Sequence, residues 1–93
     1  MKLYLISQNK NTGHDVYDSA IVCAESEEEA KTTNPIGLYT WENSNWVRNW
    51  SNGSKDIQDD YTWTTPDNVT VKMIGEAGKN IERGVVLASF NAG

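Results

Sequence analysis

The residues best suited to nucleophilic or acid–base chemistry in this chain of 93 residues are its one histidine and its one cysteine. Catalysis would require His14 to reach the hydroxyl of Ser19 or the thiol of Cys23. His14 follows a glycine in a predicted turn, whereas Cys23 lies inside the apolar run 20–24 and Ser19 in the middle of the same predicted strand. We therefore expect a surface histidine, a buried structural thiol and no enzymatic activity.

Metal and phosphate sites need ligands at characteristic spacings. Asp56, Asp59 and Asp60 are close in sequence, but their spacing is not that of a calcium-binding loop. A single cysteine can form neither a disulfide nor a thiolate metal cluster within one chain. No GxxxxGK[ST] or GxGxxG run is present to hold a phosphate. The sequence therefore predicts no metal and no cofactor.

The middle of the chain is rich in aromatic residues and forms the strongest candidate binding site. The residues predicted to bind a partner are Tyr39, Trp41, Trp46, Arg48, Trp50 and Trp63. In a strand with a two-residue period, Trp46, Arg48 and Trp50 would share one face. Such residues are enriched at protein-interface hot spots, and they can also hold a planar ligand such as a nucleobase. They can equally form the core of a small protein, and the sequence leaves these three interpretations open.

The chain carries 13 acidic and 8 basic residues, for a formal net charge of −5. Nucleic-acid binding and attachment to an anionic membrane both depend on basic residues, so neither is expected. An acidic surface suits a basic protein partner. The acidic residues expected to form that surface are Glu27, Glu28, Asp56, Asp59 and Asp60.

The stretch 17–30, YDSAIVCAESEEEA, contains the clearest strand and the clearest start of a helix. Its apolar run 20–24 is typical of a strand that is buried on both faces. The whole strand is predicted at 15–24, and it pairs with the strand 2–7 as an antiparallel hairpin. Ser26 and Glu29 form a predicted capping box, in which each side chain accepts from the backbone N–H of the other. Pro35 limits the helix to about two turns.

Further strands are predicted at 37–41, 46–50, 69–74 and 85–90, and the segment 61–63 is compatible with a short one. Residues 55–60 are predicted as a polar connection, 65–68 as one helical turn starting at Pro66, and the last strand as an interior one. We predict a single α+β domain, 1–93, with an antiparallel sheet of about five or six strands and one short helix packed on one face. The rest of the sheet must be polar, covered by the Trp-rich segment or buried in a homodimer.

The start KLYLISQ, the segment YDSAIVCAESEEEA and the ending VKMIGEA…ERGVVLASFNAG resemble a family of short proteins encoded by bacteriophages and prophages. The Trp-rich middle, 37–63, lies outside this resemblance. The resemblance implies an accessory protein of a mobile element in a bacterial cytoplasm. Small acidic phage proteins of this kind are often inhibitors of host defence systems, including anti-CRISPR proteins. The family has no established activity, so no functional residues can be carried over.

The sequence thus favours a non-enzymatic protein that binds and inhibits a host protein, for example a nucleic-acid-binding defence effector. One alternative is a protein that sequesters a nucleotide-like signal, with Arg48, Lys72 or Arg83 on the phosphate. A second alternative is a structural or morphogenetic phage component. The sequence has no apolar run of transmembrane length and no signal-peptide pattern, so we expect a cytoplasmic protein.

Overall fold

The fold consists of two antiparallel β-sheets and one short α-helix. A computed structural model describes residues 1–10, 16–58 and 62–91 of the chain. A single 3-10 turn, Pro66–Asn68, precedes the sixth strand. In chain order the elements are β1 (Lys2–Ser7), β2 (Val16–Ala24), α1 (Glu27–Lys31), β3 (Thr40–Glu42), β4 (Asn45–Asn49), β5 (Lys55–Ile57), β6 (Thr70–Glu76) and β7 (Gly84–Asn91).

The strands form a large sheet with the order β6-β1-β2-β7 and a small sheet with the order β3-β4-β5. The neighbouring strands in both sheets run antiparallel. This arrangement confirms the predicted α+β class, with one short helix after an initial β-hairpin. The strand count is somewhat higher than predicted, because seven strands in two sheets lie within the described ranges instead of five or six in one sheet.

Several local predictions differ from the structure. The segment predicted as a polar connection contains β5, whose backbone pairs with β4 although all three of its side chains are exposed. The last strand was predicted in the sheet interior, but β7 is an edge strand, because β1 and β2 occupy the two interior positions. Thr62 and Trp63 lie outside any strand, and Tyr61 and His14 fall outside the described residues.

The helix α1 has five residues, so it is shorter than the two turns expected. Ser26 caps it as predicted, accepting from the backbone N–H of Glu29 at 3.2 Å. The reciprocal bond differs, because the Glu29 carboxylate accepts from the N–H of Glu25 at 3.2 Å. At the other end, the hydroxyls of Thr32 and Thr33 donate to carbonyl oxygens of the last turn. No helix in the described ranges has the length and apolar character needed to cross a bilayer.

The core lies on one face of the large sheet. Alternate residues of β1 and β2 point to this face, and α1 contributes Ala30. Trp46 from the small sheet and Trp63 from the following connection pack into the same core. The buried core residues are Tyr4, Ile6, Ala20, Val22, Ala24, Ala30, Trp46, Trp63 and Val69. The helix and the Trp-rich middle segment therefore cover the same face of the large sheet.

The strand β2 is buried on both faces only at its C-terminal end, whereas Ile21 in the same apolar run is half-buried, because the sheet face on which it lies is not covered there. Val22, Cys23 and Ala24 are all fully buried, although successive side chains point to opposite faces. The Cys23 Sγ lies 3.9 Å from the Sδ of Met1 and 3.9 Å from the carbonyl oxygen of Ile81. The prediction of a buried thiol is thereby confirmed. Cys23 points to the face of the large sheet opposite the core, and Met1 and Ile81 cover that face at this end.

Trp63 is fully buried in the core, whereas Trp50 is 41% exposed. We predict that Trp63→Ala lowers the free energy of unfolding by about 3–5 kcal/mol, because it leaves a large cavity in the core. The matched control, Trp50→Ala, should cost about 1 kcal/mol or less. Urea denaturation followed by circular dichroism checks both values, and equal losses for the two variants would contradict the placement of Trp63 in the core.

Candidate functional site

The aromatic cluster divides into a buried part and an exposed part. Trp46 is buried, and its indole Nε1 donates to the carbonyl oxygen of Thr64 at 2.8 Å. Trp41 lies opposite Trp46 across the β3–β4 pair, with ring centroids 5.1 Å apart in an edge-to-face arrangement. Tyr39 is half-buried against the same core. Together with Trp63, these residues join the small sheet to the large one.

Arg48 and Trp50 form the outer part of the cluster. The Arg48 Cζ lies 3.7 Å from the centroid of the Trp50 ring, which is within the range of a cation–π interaction. The Trp50 Nε1 donates to the Oδ2 of Asp56 at 2.8 Å. Arg48 and Asp56 are directly opposite each other in the β4–β5 pair. A guanidinium, an indole and a carboxylate are therefore held as one unit.

The turn between β4 and β5 fixes the position of Trp50. The N–H of Trp50 donates to the carbonyl oxygen of Ser54 at 2.9 Å. The N–H of Gly53 donates to the carbonyl oxygen of Trp50 at 3.0 Å. Gly53 has φ +90°, a conformation that favours glycine. The Asn52 side chain accepts from both the N–H and the hydroxyl of Ser54. We call β4, β5 and the turn 50–54 the Trp50 hairpin.

The Trp50 hairpin is suited to contact a partner rather than to perform a reaction. The positive charge of Arg48 lies near the negative charge of Asp56, so the unit carries little net charge. The exposed part of the Trp50 indole provides apolar area next to these polar groups. A rigid aromatic ring with polar neighbours is typical of an interface anchor.

The predicted acidic residues lie on different elements. Glu27 and Glu28 are exposed in the first turn of α1, and Asp56 is exposed on β5. Asp59 and Asp60 fall outside the described residues. The sequence indicated Asp56 only as part of an acidic surface, and its bond to the Trp50 indole could not be read from composition.

A polar cavity of about 480 Å³ lies between the end of α1 and the start of β7. It is lined in part by Thr32, Thr33, Tyr39 and Arg83. The Arg83 guanidinium is already paired with two carboxylates, Glu25 at 3.0 Å and Glu29 at 2.9 Å. A phosphate that entered this cavity would therefore meet a cation whose charge is compensated.

Metal ligation has no candidate among the described residues, where no group of three or more His, Cys, Asp or Glu side chains could hold an ion. Comparisons with protein-family models, with curated protein sequences and with solved structures give no match to this chain. What the protein binds must therefore be inferred from its own residues, and the phage setting implied by its two ends stays a prediction.

Asp56 is the hydrogen-bond acceptor that holds the exposed indole. We predict that Asp56→Ala shifts the indole N–H resonance of Trp50 in ¹H–¹⁵N spectra and speeds its exchange with water, because the 2.8 Å bond is lost. The indole resonance of Trp46, bonded to Thr64, should not move. Glu82→Ala, which removes an exposed carboxylate outside the Trp50 hairpin, is the control and should leave all the indole resonances in place.

Proposed function

We propose that the chain is a non-enzymatic protein that binds a host protein and inhibits it, with the Trp50 hairpin as its contact surface. The observation that carries this proposal is the exposed Trp50 indole, fixed between Arg48 and Asp56. A side chain that is held in one orientation before binding loses little conformational entropy when a partner packs on it. Tryptophan and arginine are also among the residue types that contribute most to interface energies.

Charge supports a basic partner. The chain has a formal net charge of −5, and complementary charge speeds the diffusional encounter of two proteins. A nuclease or another nucleic-acid-binding effector has a basic groove that fits this requirement. The resemblance of the chain ends to phage-encoded proteins supports a bacterial defence effector in the host cytoplasm as the target class.

The proposed contact surface is smaller than the one suggested by the sequence. Trp46 and Trp63 are buried, and Tyr39 and Trp41 are half-buried against the core. A substitution at these positions would therefore affect folding as well as binding. Arg48, Trp50 and Asp56 can be changed with little effect on the core, which makes them the informative positions.

Sequestration of a nucleotide-like signal is the second candidate function, favoured by the polar cavity beside Arg83. The half-buried ring of Tyr39 in its lining could stack against a base. Against this candidate stand the two carboxylates that already pair with Arg83. The protein-binding function is therefore preferred.

The protein-binding function is tested with two baits, the tagged wild-type chain and its Trp50→Ala variant. We predict that a host protein is captured from bacterial lysate by the wild type and lost with Trp50→Ala. With the purified partner, Trp50→Ala should weaken binding by about 2 kcal/mol or more, roughly 30-fold in dissociation constant, because the central apolar contact is removed. Isothermal titration calorimetry gives this value.

Leu38→Ala is the matched control, because Leu38 is 53% exposed but lies in the connection before β3 rather than in the Trp50 hairpin. It should bind the same partner with unchanged affinity. A folded Trp50→Ala variant that binds the partner as tightly as the wild type would exclude the Trp50 hairpin as the contact surface.

Tryptophan fluorescence separates the two candidate functions. We predict no saturable change when the chain is titrated with mono-, di- and cyclic nucleotides, because Arg83 is occupied by Glu25 and Glu29. A saturable response that disappears in Arg83→Ala would instead favour the nucleotide-like ligand. Lys79→Ala, which removes an exposed cation outside the cavity lining, is the control for a general charge effect.

A further inference from the structure

The second face of the large sheet, opposite the core, carries an apolar row. The strand registers place Lys72, Leu5, Ile21 and Leu87 side by side across the four strands. The next row towards the other end consists of hydroxyl residues, Thr70, Ser7, Ser19 and Ser89. We call these two rows the open face, because the helix and the small sheet both lie on the core side.

The open face has a protrusion and a depression next to each other. Leu87 is 66% exposed, more than any other large hydrophobic side chain in the described ranges. Beside it lies a shallow cavity of about 320 Å³, lined by Leu5, Ile21, Ser19, Ser89 and Leu87 itself. An apolar side chain of about the size of leucine would fill part of this depression and exclude water from Leu5 and Ile21.

We propose that a second copy of this chain packs on the open face, forming a twofold dimer in which Leu87 of each copy enters the depression of the other. In a twofold interface, one patch must be complementary to itself. A protruding leucine beside an apolar depression on the same patch meets this requirement. Two contacts of the same kind then form at once, and the assembly closes as a dimer instead of growing into a fibre.

Charge also favours a second copy as the occupant. The chain as a whole is acidic, with a formal net charge of −5, but the charged side chains at the open face are of opposite sign: Lys72, and Asp18, whose Oδ1 accepts from the Ser19 hydroxyl at 3.2 Å. The face therefore carries little net charge, so a basic protein finds a single carboxylate here, whereas an identical copy meets a largely apolar surface. Most of the like charges of the two copies are kept outside the contact, where salt screens them.

The area of the open face indicates a weak dimer. Two rows of side chains cover about four residues of each strand, and with four strands about 4.8 Å apart and a rise of about 3.3 Å they span roughly 19 Å by 13 Å. Packing two such faces removes several hundred Å² of accessible surface in total, below the size of a stable interface and in the range of weak, transient contacts. The dissociation constant is therefore expected in the range of about 100 μM, so that dimers form only at high protein concentration.

Sedimentation velocity on the full chain, from about 5 μM to about 1 mM, tests this dimer. The wild-type mass should rise from 10.4 kDa towards twice that value. Leu87→Asp should raise the dissociation constant about tenfold or more, because it places a carboxylate in the apolar contact. Leu87→Ala should weaken association less. Circular dichroism identifies any variant that fails to fold.

Leu38→Asp is the matched control, since it introduces the same charge at an exposed leucine outside the open face. It should associate like the wild type, and so should Trp50→Ala, which keeps this dimer separate from the host-binding function. A wild-type chain that stays at 10.4 kDa up to about 1 mM would overturn the proposal.

Association that survives in folded Leu87→Asp would also overturn it. In that case, pairing of β7 with another β7 edge is the expected cause, because the segment 84–91 contains no charged residue to protect this edge. Slow amide hydrogen exchange along β7 in the associated state would identify that arrangement.

Discussion

The structure depends on the burial of two tryptophans, Trp46 and Trp63, against one face of the large sheet. A helix of five residues contributes a single fully buried side chain, Ala30, and cannot cover four strands. The two indole rings supply the missing apolar area, at about 150–250 Å² each. Trp46 also satisfies its N–H at the carbonyl of Thr64, which ties β4 to the segment before the 3-10 turn. Trp63 has no hydrogen-bond partner for its N–H within the part of the chain that the structure describes. A buried donor without a partner costs about 1–3 kcal/mol, and the apolar contacts of the ring offset that cost.

The same strand that supplies the core also positions the candidate binding site. Trp46 and Arg48 lie two residues apart on β4, and Trp50 follows the end of the strand. Trp46 is buried in the core, whereas Trp50 lies one residue beyond the end of β4 and is 41% exposed. The exposed indole is instead held by Arg48 and Asp56, which are neighbours across the β4–β5 pair. The strand that buries Trp46 in the core thus also carries Arg48 and ends one residue before Trp50, which places the candidate binding site directly next to the core.

Much of the fold was predictable from the sequence, and the exceptions have physical causes. Periodicity and capping identified β1, β2 and the Ser26 cap, because these signals are local. The edge position of β7 was not predictable, since an apolar strand can be interior or can expose one face, and only strand order distinguishes the two. The division of the aromatic cluster into buried and exposed residues could not be predicted from the sequence either. Trp46 and Trp50 are both tryptophans, and their spacing fits one face of a strand. Their burial differs because Trp46 lies inside β4, opposite Trp41, whereas Trp50 follows the end of the strand.

The helix and the small sheet cover only one face of the large sheet, and the molecule therefore has two separate surfaces with different chemistry. The Trp50 hairpin lies on the side of the large sheet that α1 and the small sheet cover, and it combines an aromatic ring with compensated charges. The open face lies on the other side and is apolar with hydroxyl residues. A dimer through the open face would leave both Trp50 hairpins accessible. Two linked hairpins raise the effective concentration of the second contact on a partner that is itself repeated or symmetric. A weak dimer would then strengthen host binding most where the target offers two sites, without any change in the contact made by each hairpin.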